Sequence, residues 1–288
     1  MMALVKRNLR LYFGQKSGVF FSLLGALIAF GLYLVFLKHN MIASWSQIPH
    51  PQKLLDPWLI GGTLAITAVT TTGNGLNQMI VDRESGTLAD LSLTRLSYVE
   101  IQASYLISAV IIGTVMQVVM LLGMSGYFIV VDQIQIAANL IFPILGVIVL
   151  SSVIWTTFNL FILSFVTRVD SLGKIGTILG TSAGFFAGVY MPIGAVPNAA
   201  QTLMKWTPFP YNSALFRQVL MAKPIEQVFG QQSVQRASFE RLLGVGIDVH
   251  GLTTWQQNSL ILIGFAGVFI AGSLLVARRS RRVVLNKV

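Results

Sequence analysis

The sequence predicts an all-α polytopic membrane protein with six transmembrane helices, an N-terminal interfacial amphipathic helix and a re-entrant outer segment after the fifth span. Three observations predict it. The 288 residues are 54% hydrophobic and only 10% charged, with a mean hydropathy of +0.72, whereas soluble domains carry about 25% charged residues. Six stretches reach the roughly 20 mostly apolar residues that one helix needs to cross the hydrocarbon core. Basic residues gather at the ends of alternate spans, the pattern that orients membrane helices. So apolar a chain cannot cover its surface with polar groups, which excludes a soluble enzyme, a disordered protein and a soluble nucleic-acid binder. The net charge of +10 therefore reads as membrane topology, with lipid and not nucleic acid as the partner. The chain has no cysteine, which excludes disulfides, thiolate catalysis and thiolate metal sites.

The whole chain, 1–288, reads as a single transmembrane domain. Residues 1–16 hold a basic amphipathic helix: Leu4, Val5, Leu9, Leu11, Tyr12 and Phe13 are apolar, and Lys6, Arg7 and Arg10 are basic. Such a segment suits the headgroup layer. Spans one to five occupy residues 17–194. The first covers 17–37; its apolar run is too long for a signal peptide, and no clear small-residue cleavage site follows it. A polar loop with Lys38, His39, His50, Lys53 and Asp56 comes next. The second span is expected to start at Pro57, a good first-turn residue, and to end near residue 81. It is the most polar span, with Thr70, Thr71, Thr72, Asn74, Asn77 and Gln78. The third and fourth spans, 103–131 and 137–167, form a tight hairpin around Asp132. The fifth covers 172–194.

Residues 195–257 are the re-entrant segment and an extracytoplasmic loop. Their first part is too apolar for a free loop, and Pro197, Pro208 and Pro210 cut it into pieces too short to span. Their second part is polar, with one helix expected over 233–243, ended by Gly244. The sixth span covers 258–277, and residues 278–288 form a basic tail. With six spans both termini share a side. That side carries thirteen basic residues, against Lys38 and Lys53 in the short loops opposite. Both termini are therefore expected to be cytoplasmic in a multi-pass protein of the cell membrane.

Between the second and third spans, Arg83, Glu84, Gly86, Thr87, Leu88, Asp90, Leu91 and Arg95 stand out. Thr87 and Asp90 have capping-box spacing, so a short helix is expected from about residue 88 after a turn at Ser85 and Gly86. In the fifth span Gly176, Gly180, Gly184 and Gly188 recur every four residues, a stripe that admits a close helix neighbour, in the same subunit or in a second one. The absent chemistry is equally informative. There is no phosphate loop and no H-E-x-x-H, and the three histidines lack ligand spacing, so no catalytic residue and no metal site is expected. The span interiors read as free of ionisable residues, and Asn74, Asn77 and Gln78 are the polar candidates for a pathway. An apolar path with neutral donors suits an amphiphilic or lipid-like cargo better than an ion.

Arg83-Glu84-x-Gly86-Thr87-Leu88-x-x-Leu91 resembles the cytoplasmic E-x-G-T-L-x-x-L coupling segment of the permease subunits of type-2 ABC exporters. Met191-Pro192 through Val196-Pro197, then Pro208-x-x-Tyr211-x-x-Ala214-Leu215-x-Arg217, resembles the re-entrant outer segment of the same family. The resemblance implies an export permease that is not itself an enzyme. It implies a second permease, identical or paralogous, and a cytoplasmic ABC ATPase subunit that carries the ATP and Mg, with no cofactor on this chain. Residues 83–95 are then the coupling site, and Pro192, Pro197, Pro208, Pro210 and Tyr211 belong to an outer gate. It also implies that spans one, two and five lie nearest the subunit interface. Thr94-Arg95 replaces the family's usual Thr-Pro, so the coupling helix is expected to lack its stop. The competing readings are an ATPase-independent secondary transporter, which usually needs intramembrane charge, and a membrane-embedded transferase, which needs clustered acids, histidines or bases.

Overall fold

The computed structural model describes residues 1–134, 137–230 and 232–285, with residues 138 and 278–285 as backbone only. The basic side chains expected in the tail at 278–288 thus lie outside the described residues. The described chain is helical: α1 Met2–Gly14, α2 Lys16–Ser44, α3 Gln52–Glu84, α4 Thr87–Ser92, α5 Tyr98–Asp132, α6 Ile141–Leu163, α7 Asp170–Phe186, α8 Asn198–Lys205, α9 Phe209–Phe229, α10 Ser233–Leu243 and α11 Trp255–Leu285. Five of these helices are long and apolar enough to cross a membrane: α2, α3, α5, α6 and the Trp255–Ala277 part of α11.

α3 is the axis of the bundle. It packs against α2, α5, α6, α7 and α9, and 94% of its most apolar stretch is buried, against 17–44% for the other four. This explains why the most polar span is also the innermost. Its polar side chains meet protein, not lipid, and most satisfy themselves. Thr63, Thr67, Thr71 and Thr72 each donate a hydroxyl to the carbonyl four residues back, at 2.6–2.9 Å. Asn159 of α6 donates to Val69 O at 2.9 Å and to Thr72 Oγ1 at 3.0 Å. The close approach of α5 needs Gly75, where a Cβ would lie 3.1 Å from the Ala109 Cα.

α3 starts five residues before the expected Pro57, which sits inside the helix. Its early turns hold Asp56, read from sequence as a loop residue and in fact fully buried. Tyr33 donates to its Oδ1 at 3.0 Å, and Lys38 lies 3.5 Å from the same atom while also pairing with Asp132. Local sequence shows neither partner. The interior is therefore not free of charge: Asp56, Asp82 and Arg217 are all buried.

Asp82 docks α1. Arg7 reaches both of its carboxylate oxygens, at 2.7 and 2.8 Å, Tyr105 donates at 2.6 Å and Gln78 at 2.7 Å. Leu4, Val5 and Asn8 face inward while Lys6 and Arg10 stay exposed, so the amphipathic reading of α1 holds.

α7 is shorter than expected and ends at Phe186. Its 17 residues span about 25 Å at 1.5 Å per residue, less than the roughly 30 Å core. Gly188 stops it. With φ +64° it takes the left-handed conformation that glycine adopts without steric cost. Gly188 N–H bonds to Phe185 O at 3.0 Å, and Val189 N–H to Gly184 O at 2.9 Å, the pairing of a Schellman cap. α10 ends in the same way: Gly244 has φ +64°, and Val245 N–H bonds to Glu240 O at 2.9 Å. The expected helix over 233–243 with its Gly244 stop is the observed one.

Arg217 of α9 joins these two ends. Its guanidinium donates to Ala187 O and Gly188 O after α7, both at 3.1 Å. It also donates to Leu243 O and Gly244 O after α10, at 3.1 and 3.4 Å, and to Trp58 O of α3 at 3.3 Å. The Trp58 ring lies 4.7 Å from its central carbon. No carboxylate among the described residues pairs with it; the negative ends of two helices take that role.

If Arg7 anchors α1, Arg7→Gln leaves Asp82 short of its cation, a loss of about 1–3 kcal/mol. Amide exchange across α1 should then rise by about tenfold or more, whereas Lys6→Gln should leave it unchanged. Hydrogen exchange read by mass spectrometry checks both.

Candidate functional site

A cavity of about 800 Å³ lies between α2, α3 and α7. Phe21, Gly25 and Ile28 line it from α2, Thr70, Asn74 and Asn77 from α3, and Gly176, Gly180 and Thr181 from α7. Asn159 and Leu163 of α6 close its floor, and Phe185 and Tyr190 stand at the α7 end. No Asp, Glu, Lys, Arg or His among the described residues lines it. Its carboxamides are spent within α3: Asn74 donates to Thr70 O at 2.9 Å and Asn77 to Asn74 Oδ1 at 3.2 Å. The threonine hydroxyls are likewise donated within their helices, Thr70 to Ile66 O at 3.1 Å, Thr177 to Gly173 O at 2.9 Å and Thr181 to Thr177 O at 2.8 Å, so oxygen lone pairs are what remain for a guest. Such a site offers apolar surface and neutral hydrogen bonds, and it is unsuited to holding a bare ion.

The sequence-predicted residues divide around this cavity. Asn74 and Asn77 line it; Gln78 does not, being turned to Asp82. Of the glycine stripe, Gly176 and Gly180 line it. Gly180 meets Gly25 of α2, where an added Cβ would sit 3.4 Å from the Gly180 carbonyl oxygen. Gly184 instead makes room for Tyr190, whose ring a Cβ would meet at 2.3 Å. Gly188 has left the helix as its cap, so the register of four is broken after three. Close approach at Gly180 and Gly184 is thus made within one chain.

The segment at 83–95 lies at the α1 end of the bundle. The expected Thr87/Asp90 box is not formed, because Gly86, at φ +83°, takes the cap position and α4 starts without a side-chain cap. The box in this region is Ser97 with Glu100 at the start of α5: Ser97 N–H bonds to Glu100 Oε2 at 2.8 Å and Glu100 N–H to Ser97 Oγ at 3.3 Å. Its S-x-x-E spacing, Ser97-Tyr98-Val99-Glu100, is a capping-box signal present in the sequence itself. α4 ends at Ser92 without a proline, so Thr94-Arg95 does not prolong it. Leu88 and Leu91, expected to seat in a partner, pack half-buried on the chain's own inner core, whereas Leu93 is 86% exposed. Glu84 is also engaged internally: its Oε2 accepts the Val169 N–H at 2.5 Å, and Arg83 reaches Val166 O at 3.4 Å. The two loops at this end are thereby tied together. Asp90 and Arg95 are exposed.

At the opposite end, Pro192 precedes the single turn Ile193–Ala195 and Pro197 precedes α8. Pro208 caps α9, with Pro210 in its first turn. Tyr211 donates to Lys205 O at 2.9 Å and holds the α8–α9 elbow. α9 is buried along most of its length against α3, α6 and α11, which accounts for the apolar character of this stretch.

The described residues thus form a bundle of long apolar helices around a neutral cavity. The chain belongs to the ABC-2 type transporter family, whose model matches residues 1–221, and it is a membrane permease of an ABC transporter. The match stops inside α9, leaving α10 and α11 outside it. A search of the curated proteins finds no match.

The glycine environments give opposite signs for one substitution. Gly→Ala in a helix interior gains up to about 1 kcal/mol where space allows, so Gly176→Ala and Gly267→Ala, whose Cβ atoms meet nothing within 4 Å, should hold or raise the melting temperature. Gly184→Ala should lower it, because the Tyr190 ring must move. Thermal unfolding of the purified chain reads the difference.

Proposed function

We propose that this chain is the export permease of an ATP-driven complex, moving an amphiphilic or lipid-like cargo such as a drug, peptide, toxin or glycolipid out of the cytoplasm. The cavity between α2, α3 and α7 is its cargo path, and the observation that carries this reading is its lining: apolar walls with neutral polar atoms and, among the described residues, no charged group. Both termini are cytoplasmic in this reading, and the site is the cell membrane. A second permease, a copy or a paralogue, covers the side formed by α2 and α7. The outward apolar surface there supports this, with Phe20, Phe21, Phe36, Ile178 and Phe185 each 54–65% exposed. The buried charges remove one argument against a secondary transporter, but none of the three lines the cavity, and the family assigns the energy source to an ATPase.

A separate cytoplasmic ABC ATPase, which carries the ATP and Mg, docks on α4 and the turn after it. Leu93 is the apolar anchor, with Asp90 and Arg95 beside it. The loop tie from Glu84 to Val169 makes this platform rigid, so a push on α4 reaches α3 and α7 together. Leu93→Asp should weaken ATPase binding by about thirtyfold, the loss of an interface anchor worth about 2 kcal/mol, and abolish transport while the permease still folds. Binding of the purified subunits measured in detergent, beside circular dichroism of the variant, tests this. Unchanged affinity and transport would put the docking surface elsewhere.

A further inference from the structure

A second cavity, of about 690 Å³, lies at the opposite end of the bundle from α1. It is built by the start of α3, by Gln133, Ile134, Ala137 and Leu140 after α5, and by the later part of α9. Three basic side chains line it: His50 and Lys53 before and in the first turn of α3, and Lys223 of α9. All three are exposed. No acid lines it. Asp132 nearby is spent on Lys38, and Glu226, one turn along α9, is not part of the wall. Lys223 has one weak partner, Asn139 Oδ1 at 3.4 Å. The side chains of Gln133 and Gln227 add neutral donors, and Ile60, Leu140 and Leu220 form an apolar wall.

We propose that this cavity binds an anionic phospholipid, its phosphate between Lys53 and Lys223 and one acyl chain along the apolar wall. The chemistry calls for both halves: uncompensated cations select a phosphate, while the apolar wall has no use for a free anion. The position agrees, because the cations stand where α3 begins and α5 ends, at the ends of two long apolar helices, and span ends are level with lipid headgroups. The site is separate from the α2–α3–α7 cavity and does not depend on the cargo or the ATPase.

The test is native mass spectrometry of the purified full chain offered phosphatidylglycerol or phosphatidylcholine, with inorganic phosphate as a third probe. Near an anionic surface one lysine is worth about a fivefold change in binding. Lys53→Gln with Lys223→Gln should therefore cut phosphatidylglycerol retention by at least about tenfold and leave phosphatidylcholine retention unchanged, while the double arginine variant retains the lipid. The basic face of α1 also attracts anionic lipid, so a photoactivatable phosphatidylglycerol locates the contact on the wild-type chain and needs no variant to fold. Cross-links to α3 near Lys53 and to α9 near Lys223 support the site. Cross-links confined to α1, or retention that survives the double glutamine variant at an unchanged melting temperature, overturn it. Displacement of the lipid by millimolar inorganic phosphate would make this a free-anion site and overturn the lipid assignment.

Discussion

The guanidinium of Arg217 is a full charge buried without a carboxylate among the described residues, and the ends of α7 and α10 beside α3 are arranged to make that tolerable. An isolated buried ion is among the most expensive things a fold can contain. Here five carbonyl oxygens from three segments accept its hydrogen bonds. Four of them belong to two helices ended by glycine caps, where the backbone already carries partial negative charge. The arrangement requires Gly188 and Gly244 in the left-handed conformation, α7 stopped short and α10 folded back. It also requires space on α3: at Gly62 a Cβ would lie 2.8 Å from an Arg217 nitrogen and 2.3 Å from Val189. One cation thus fixes where two helices end and ties both ends to α3.

Asp82 at the other end follows the same logic with the sign reversed. It is a buried anion satisfied by Arg7, Tyr105 and Gln78, and it brings the amphipathic α1 onto α3 and α5. Between these charged ends lies a middle that is polar but neutral. There the α3 threonines bond to their own helix, and Gly25 and Gly180 let the backbones of α2 and α7 approach. That division lets the middle hold a cavity without ionisable groups while the ends stay rigid.

Much of this was legible in the sequence. Apolar runs of about 20 residues mark six expected spans, of which five are the long helices and the fifth in chain order is the shorter α7, and amphipathic spacing gives α1. Ser233 to Gly244 gives α10 with its stop. What stayed hidden depended on partners distant in the chain. Asp56 looks like a loop residue until Tyr33 and Lys38 arrive from α2. Gln78 looks like a pathway residue until Asp82 is seen to be buried beside it. The glycine stripe misled for a local reason: Gly188 keeps the spacing of four but serves as a helix cap, and Met191-Pro192 just after it was the available sign of a helix end. Leu88 and Leu91 could not be told from Leu93 by periodicity, because a helix of six residues has too few turns to define a face.

The α2–α3–α7 cavity as a path whose shape follows the ATPase cycle is the central claim, and the chain's lack of native cysteine makes it directly measurable. Asn77→Cys places a single thiol in the cavity, and Val119→Cys, half-exposed on α5, gives a reference outside it. The rate of labelling by a small thiol reagent, measured in vesicles holding the permease with its ATPase subunit, should change several-fold at position 77 when ATP is added and stay constant at position 119. Equal rates at position 77 with and without ATP, in a complex that hydrolyses ATP, would contradict the assignment of this cavity to transport.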